Sequence, residues 1–487
     1  MTIETAQLHA GYEVVIGLEV HAQLATASKA FCSDAAAFGA KPNRQVSPVS
    51  LGHPGTLPFI NKKHIEFAVK LGLATNCQVR QYNYFDRKNY FYGDLPKGYQ
   101  ITQDAAAICY AGFIRIKTAS GQKEIRINRI HMEEDAGKSI HDLDEANTLI
   151  DLNRAGVPLL EIVSEPDLRS GEEAAVFLSD IRRLVRFLGI CDGNMEEGSL
   201  RCDANISVRK KGMVEYGTRC EVKNLNSIKN VQKAIEFEAK RQIGLLENGG
   251  TIEQNTLNFD ADSGETSVLR SKEMANDYRY FPEPDLPPMV LSDAYIEEIR
   301  KSLPALPEEL YQKYTFELGL SDYEANVITA DQELVAYFEL LIRETSNYKA
   351  AANWLMGSIK SYLNTHTVFI GDFWVKPKVI AEMIALIDAG KISHTAAAQQ
   401  LFPQMILQPE KNATELATAL NLFIDQSGEK LDLIIDQVLQ LHPQKVFEYK
   451  KGKKGILGLF MGEVMKLSKG KIDPKTANRV LAQKLEK

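Results

Sequence analysis

The sequence of 487 residues predicts an α+β fold in its first part and helices after it. Glycine, which helices avoid, is frequent up to residue 288, with 22 of the 32 glycines, whereas residues 289–451 contain only five. The segments whose hydrophobicity alternates, as in half-buried strands, also fall in the first part. Because few helical segments separate these strands, an antiparallel sheet is favoured over a doubly wound one.

The strands are predicted in chain order from their alternation. Residues 12–24 place apolar side chains at even positions and polar ones at the later odd positions. Residues 123–131 form another strand, in which a slip of the apolar phase indicates a β-bulge. A helix over 170–189 follows, with a capping box at its start and glycine at its end. Residues 202–209 and 219–223 then alternate like the first strand.

Two proline-containing segments predict the domain boundaries. Residues 282–288 include four prolines and end the β-rich part, and a second break falls near 408–413. Between and after them, helical periodicity dominates. The predicted domains are 1–292, 293–409 and 410–487.

Charge separates the end of the chain from the rest. The net charge is −7, which excludes a protein that is basic throughout. The last 47 residues nevertheless carry 11 lysines and one arginine against four acids, a net charge of +8. Lysines and glycines at a possible helix start favour RNA contact over a merely solvated basic turn. The predicted tRNA-binding residues are Lys450, Lys451, Lys453 and Lys454.

Several function classes find no support. Gly137-Lys138-Ser139 lacks the first glycine of a P-loop, because Met132 stands there and acids follow it. No C-x-x-C pair supports zinc or thioredoxin-type chemistry. No apolar run reaches the length of a membrane span. The first residues resemble neither a secretory nor a mitochondrial leader, so we expect a cytoplasmic protein.

Carboxylates are dense on the polar strand faces. Glu19 and His21 share one face, three acids and a histidine fall within 131–135, and Glu161 and Asp203 lie on two further segments. Carboxylates held together repel one another unless they are protonated, paired or bridged by a cation. Oxygen-rich ligands with one imidazole suit Mg²⁺ or Mn²⁺. Salt bridges to nearby arginines are the alternative, and the pattern alone leaves both open.

A second unusual segment, 86–100, holds four aromatic residues, five charges and two glycines. This composition is typical of a loop held for binding, although an aromatic-anchored surface loop would look the same.

Taken together, these sequence segments resemble those of the B subunits of bacterial aspartyl/glutamyl-tRNA amidotransferases, the GatB family. The similarity runs nearly end to end. The motifs that carry it are VIGLEVHAQL (15–24), DRKNYFYGDLPKGYQ (86–100), HMEEDAGKS (131–139), GVPLLEIVSEPD (156–167), MEEGSLRCDANISVR (195–209), EVKNLNS (221–227), RSKEMANDYRYFPEPDLPP (270–288) and KGKKGILGLFMG (451–462).

The resemblance implies a cradle-shaped α+β domain, a helical domain and a small helical tail. It implies a heterotrimer with an amidase (A) subunit and a small (C) subunit. The amidase releases ammonia from glutamine, and the B subunit uses ATP and Mg²⁺, or Mn²⁺, to phosphorylate the side-chain carboxylate of Glu-tRNA(Gln) or Asp-tRNA(Asn). Ammonia then displaces the phosphate, which makes the assembly an ATP-dependent carbon–nitrogen ligase.

The resemblance also assigns residues. It implies a metal site formed by Glu19, His21, Glu134, Glu161 and Asp203, with Glu134 as the catalytic residue. It implies that Lys88 and Lys97 line an ammonia passage. Adenine-binding residues are not assigned.

Two departures from the family pattern stand out. Ser47 and Ser50 occupy positions where many relatives have cysteines, so we expect no structural zinc. Gly93 replaces a proline that relatives often carry in the aromatic loop. Two alternatives are the related archaeal-type E subunit, for whose insertion the chain has no room, and a non-catalytic tRNA-binding scaffold.

Overall fold

The computed structural model describes residues 11–141, 143–271, 278–424, 428–468 and 474–486, so part of the motif at 270–288 lies outside the described residues. The chain divides into two compact units, Met1–Leu306 and Pro307–Lys487. Of the described helices, none combines the length and apolar character needed to cross a bilayer.

The first unit is built on β-strands, as the alternation predicted. In chain order they are β1 (Tyr12–Gln23), β2 (Gln78–Val79), β3 (Tyr82–Asn83), β4 (Asp86–Asn89), β5 (Tyr99–Thr102), β6 (Cys109–Thr118), β7 (Gly121–Glu134), β8 (Lys138–Ile140), β9 (Leu149–Asp151), β10 (Pro158–Ser164), β11 (Leu200–Lys210), β12 (Cys220–Leu225), β13 (Asn255–Phe259), β14 (Thr266–Ser271), β15 (Phe281–Pro282) and β16 (Met289–Val290).

Nine of these strands form one sheet in the order β14–β13–β12–β11–β1–β10–β7–β6–β2. Among its described strand pairs only β12 and β13 run parallel, and the others are antiparallel. Smaller sheets join β15–β4–β5, β16–β3 and β8–β9. The mixed fold with a largely antiparallel sheet agrees with the predicted α+β class.

The register of the central strands brings polar residues from four segments together. Glu19 on β1 pairs with Asp203 on β11, and His21 pairs with Glu161 on β10. Glu161 pairs in turn with His131 on β7. Because paired residues point to the same side of a sheet, these side chains share one face.

The register of β7 against β10 shifts at its middle. Arg129 pairs with Val163, but Ile127 pairs with Ser164, so Asn128 is the extra residue. This is the β-bulge predicted from the apolar phase.

Four helices accompany the sheet: α1 (Lys62–Ala74), α2 (Gly171–Phe187), α3 (Ile228–Glu247) and α4 (Asp293–Ser302). As predicted, Ser170 caps α2, where its hydroxyl accepts a hydrogen bond from the Glu173 amide at 3.1 Å. The helices share one apolar core with the even-numbered residues of β1, such as Ile16 and Leu18, which are fully buried. The odd-numbered residues of β1, among them Glu19 and His21, therefore face the opposite side.

The second unit is helical. Its helices are α5 (Pro307–Gln312), α6 (Asp322–Ile328), α7 (Gln332–Glu344), α8 (Tyr348–Trp354), α9 (Lys360–His366), α10 (Pro377–Asp388), α11 (His394–Ala396), α12 (Phe402–Leu407), α13 (Ala413–Ala419), α14 (Gly428–Leu441), α15 (Pro443–Lys450), α16 (Leu457–Leu467) and α17 (Pro474–Glu486). Three π-helical turns (Lys313–Glu317, Leu355–Ile359 and Ala397–Leu401) and 3₁₀ turns at Ile370–Asp372 and Lys454–Ile456 interrupt them.

Within this unit, the last four helices have their own apolar core, which includes Ile435, Phe460 and Leu481. Helix α13 instead packs against α10. The division into domains at 292 and 409 stays a prediction.

Candidate functional site

A polar cavity of about 660 Å³ opens on the face of the sheet opposite the helices. The central strands supply its floor. Acidic and basic side chains are mixed along its wall: Glu19, Asp104, Glu133, Glu161, Asp203 and Glu221 against Lys88, Arg129, Arg201, Arg219 and Lys223, with His21 and His131 between them.

The first group of ligand atoms belongs to His21, Glu133 and Glu161, and these atoms all lie within 4.8 Å of one another. His21 Nε2 is 3.4 Å from Glu161 Oε2 and 3.7 Å from Glu133 Oε1. His131 Nε2 lies 3.2 Å from the same Glu161 oxygen. Two imidazoles therefore share two carboxylates.

The protonation of this group follows from its contacts. Burial lowers the pKa of His131, but the Glu161 and Glu133 carboxylates outweigh burial and raise that pKa to about 9. Burial lowers the pKa of His21 as well, but Glu161, together with Glu133 and Asp203, outweighs burial and raises that pKa. Burial raises the pKa of Glu161, but the two histidines lower it well below its usual range. Protons on the imidazoles thus balance the buried acids.

The second group consists of Glu19, Asp203 and Glu221, whose oxygens also lie within 4.8 Å of one another. Burial and the nearby Glu161 raise the pKa of Glu19. Lys223 forms ion pairs with Asp203 and Glu221, and its pKa is raised because these carboxylates outweigh burial. The Asn205 amide donates to Glu19 Oε1 at 2.8 Å.

Both groups fit a divalent cation by their donor chemistry. Five carboxylates and the imidazole of His21, which would release its proton on binding a metal, are the hard, oxygen-rich set that Mg²⁺ or Mn²⁺ prefers. An anionic ligand fits beside them, because the buried Nε of Arg129 has no hydrogen-bond partner among the described residues. Arg201 also reaches the cavity, although its guanidinium donates to Asp135 at 3.0 Å.

Of the five residues that the resemblance assigns to a metal site, Glu19, His21, Glu161 and Asp203 line this cavity, and Glu134 does not. Adjacent strand residues point to opposite faces, so Glu133 enters the cavity and Glu134 turns away from it. There the Glu134 carboxylate is buried, pairs with Lys97 and accepts the Ile101 amide at 2.9 Å. In the structure it is therefore Glu133, and not Glu134, whose carboxylate lies with His21 and Glu161.

The two lysines predicted for an ammonia passage line different cavities. Lys88 borders the large polar cavity, where its ammonium lies 4.8 Å from the ring centre of Tyr278. Lys97 borders a smaller cavity of about 100 Å³ together with Glu134, Phe31 and other residues of the first unit. The adjacent acids of β7 thus face separate compartments.

The sequence reasoning noticed His131 and Glu133 within an acidic segment, but it assigned neither of them, nor Glu221, to the site. Strand alternation carried the signal, since His131 and Glu133 are two residues apart and Glu221 shares the polar face of its strand. The salt-bridge alternative holds for Asp135, which pairs with Arg201 at 3.0 Å and Arg154 at 3.7 Å.

The four predicted tail lysines are exposed around the end of α15 and the following turn. Lys451 lies over the Phe447 ring and Lys454 over the Tyr449 ring, each with its ammonium 4.3 Å from the ring centre. Lys453 pairs with Glu448 at 3.2 Å. The turn therefore presents a compact positive surface.

Two family models match the chain, the GatB/GatE catalytic domain over residues 14–297 and the GatB domain over 336–485. A similar curated protein, the B subunit of the aspartyl/glutamyl-tRNA(Asn/Gln) amidotransferase of Chlorobium luteolum, is 49% identical over 98% of this chain and 99% of its own. The protein of the same name from Caldicellulosiruptor saccharolyticus is 47% identical over equal shares. The chain therefore belongs to the GatB family.

Proposed function

We propose that the chain is the B subunit of a tRNA-dependent amidotransferase of protein biosynthesis. In this role it phosphorylates the side-chain carboxylate of Glu-tRNA(Gln) or Asp-tRNA(Asn) with ATP, and ammonia then replaces the phosphate to give the amide. The observation that carries this proposal is the polar cavity, in which two clusters of acidic residues lie beside arginine and lysine side chains. A phosphoryl transfer between negatively charged partners needs carboxylates that bind metal cations and positively charged side chains that bind the phosphate and carboxylate anions.

The carboxylates are proposed to hold Mg²⁺ or Mn²⁺. His21, Glu133 and Glu161 would hold one ion, and Glu19, Asp203 and Glu221 would hold a second. When bound, such ions neutralise phosphate charge and stabilise its transfer. The chain's own contribution is to fix these ligands on paired strands, with His131 holding Glu161 and Asn205 holding Glu19.

The basic side chains are proposed to orient the anions. Arg129, whose Nε has no hydrogen-bond partner in the described part of the chain, and Lys88 lie on the cavity wall and can hold the substrate carboxylate or phosphate oxygens. Arg219 lies beside the second acidic group. These positively charged side chains stabilise the negative charge of the phosphoryl group during transfer and reduce its repulsion from the substrate carboxylate.

Ammonia is proposed to reach the cavity from a glutamine-hydrolysing amidase subunit, within a heterotrimer whose third member is the small C-type subunit. The paired Lys97 and Glu134 supply a polar lining to the smaller cavity, and Lys88 lies in the larger one. An enclosed route protects ammonia from dilution into water. The reaction is thus that of an ATP-dependent carbon–nitrogen ligase with glutamine as the amide donor.

The tail is proposed to bind tRNA through Lys450, Lys451, Lys453 and Lys454, because exposed lysines neutralise RNA phosphates. We also propose the family's cradle and three-domain layout. A cytoplasmic location follows from the proposed substrates, since aminoacyl-tRNAs are used there.

The test is amidation by the complex reconstituted with the amidase and the small subunit. Glu161→Gln should abolish tRNA-dependent ATP hydrolysis and leave glutamine hydrolysis by the amidase, because the variant keeps the shape of the residue and removes its charge. Glu247→Gln, an exposed acid on α3, is the matched control and should retain both activities. Full amidation by Glu161→Gln would favour the scaffold alternative.

A further inference from the structure

On the side of Lys88, the wall of the polar cavity is aromatic. Two rings from the segment 278–283, those of Tyr278 and Tyr280, line the cavity there. We name residues 278–283 the aromatic strap. The strap runs along β4 and pairs with it through β15, in a small sheet of its own with β5. It therefore gives the cavity a wall that the large sheet does not supply.

The rings of the strap continue a row that begins on the neighbouring loop. The ring centres of Tyr90 and Tyr278 lie 6.1 Å apart, and those of Tyr278 and Tyr280 lie 5.9 Å apart, both edge to face. Such contacts stabilise aromatic pairs beyond the area that they bury. Tyr90 anchors the row, because its hydroxyl donates to Gln100 Oε1 at 3.2 Å and the Gln100 amide donates to the Glu134 carbonyl at 2.7 Å.

Two residues of β4 hold the strap in place. The Asn89 side-chain amide donates to the carbonyl oxygens of Tyr278 at 3.2 Å and Arg279 at 2.8 Å, and the Asn89 backbone N–H donates to the Tyr278 carbonyl at 3.0 Å. Arg279 itself has a φ of 47°, in the left-handed region that residues other than glycine seldom adopt. The Arg87 guanidinium donates twice to the buried Glu283 carboxylate, each time at 2.7 Å. These contacts maintain a strained backbone, and such strain is found where a function requires one geometry.

Tyr280 brings the aromatic wall close to the acidic groups. Burial raises the pKa of Tyr280, and the nearby carboxylates of Asp104 and Glu161 raise it further, so its hydroxyl stays neutral. The next ring, that of Phe281, lies instead 5.8 Å from the Arg87 guanidinium. The strap thus places neutral rings beside the carboxylates proposed to hold the cations and beside Lys88, where ammonia is proposed to arrive.

We infer that Tyr278 and Tyr280 keep water away from the activated substrate, and that Asn89 is the positioning residue that holds these rings. This inference rests on the proposed function, in which the substrate carboxylate becomes an acyl phosphate. Ammonia attacks its carbonyl carbon, the C–N bond forms as the C–O bond to phosphate breaks, and the phosphate leaves with a proton from ammonia. Water attacking the same carbon would return the carboxylate and phosphate, so that one ATP would be consumed without an amide. A wall that excludes water suppresses this hydrolysis.

The test is the number of ATP molecules hydrolysed per amide formed, measured on the reconstituted complex with Glu-tRNA(Gln) and glutamine. Tyr280→Ala should raise this ratio about fivefold, which corresponds to about 1 kcal/mol in the competition between ammonia and water. Asn89→Ala should also raise the ratio, because the strap loses both hydrogen bonds of the side-chain amide. Tyr280→Phe, which restores the ring, should restore the wild-type ratio.

Ammonium chloride as a direct source of ammonia separates water exclusion from a merely structural role. Because ammonia and water compete for the same intermediate, a high concentration should return the ratio of Tyr280→Ala to that of wild type. Tyr323→Ala is the matched control, since this tyrosine is 73% exposed on α6 of the second unit. It should keep the wild-type ratio.

Equal ratios in wild type, Tyr280→Ala and Asn89→Ala would overturn the inference and leave the proposed function standing. So would a raised ratio that ammonium chloride does not lower, because water would then be attacking ATP itself. A wild-type complex that hydrolyses no ATP in the presence of Glu-tRNA(Gln) would overturn the proposed function instead.

Discussion

The adjacent acids of β7 provide a sharp test of the site, because Glu133→Gln and Glu134→Gln make the same chemical change on opposite sides of the strand. Glu133 is 2% exposed and lies 3.7 Å from His21. Its amide replacement keeps the volume and can still accept the weak hydrogen bond of Thr102. What it loses is the negative charge that a cation bound by His21 and Glu161 would contact.

The expected loss of Mn²⁺ affinity for Glu133→Gln is about 100-fold. Changes to groups that merely support a metal ligand cost about 10–100-fold, and a direct ligand should reach the upper end of this range. A 100-fold loss corresponds to about 3 kcal/mol. Electron paramagnetic resonance of free Mn²⁺, titrated into the complex, measures this difference directly.

Glu134→Gln should instead leave Mn²⁺ affinity unchanged and lower stability. Its partner Lys97, whose side chain is 13% exposed, would lose the carboxylate that balances its charge. Breaking a buried pair in this way costs about 3 kcal/mol. Adding Lys97→Met should recover much of the stability in thermal unfolding. The reasoning is refuted if Glu134→Gln loses Mn²⁺ and Glu133→Gln retains it.

Two further predictions concern pH and salt. Burial lowers the pKa of His64 to about 4, so the unfolded chain, with a pKa near 6.5, binds this proton first as pH falls. Stability should therefore drop by about 3 kcal/mol between pH 7 and pH 4, and urea unfolding of His64→Gln should show a smaller drop. Replacing the four tail lysines with glutamine should raise KM for tRNA and flatten its salt dependence, and an unchanged salt slope would contradict their contact with RNA. These lysines are Lys450, Lys451, Lys453 and Lys454.

Much of the sheet was predictable because alternation has a period of two and each half-buried strand shows it directly. The alternation placed Glu19 and His21 on the polar face of β1. The phase of the apolar residues in β7 also predicted the bulge in that strand. Counting by two from Ile130 also puts Glu134 on the apolar side, where the structure has it. The motif similarity alone had placed Glu134 at the metal.

Other features were not predictable from one sequence. The pairing of β1 with both β10 and β11 joins residues 136 to 198 positions apart, and no local sequence pattern predicts such a register. The π-helical turns of the second unit, such as Leu355–Ile359, show the same apolar spacing as ordinary helix. Glu221 was placed on a polar strand face, but only the neighbouring strand shows what that face meets.

The bulge at Asn128 has a consequence for how this family can vary. Glu133 and Glu134 are neighbours in the chain, but Glu133 lines the large polar cavity and Glu134 lines the smaller cavity that Lys97 borders. A single residue inserted between the bulge and Glu134 would exchange the two acids, since a shift by one turns every side chain over. The length of β7 from Arg129 to Glu134 is therefore a stricter constraint on relatives than the identity of most residues within it, and gaps in this stretch should be absent where both acids are retained.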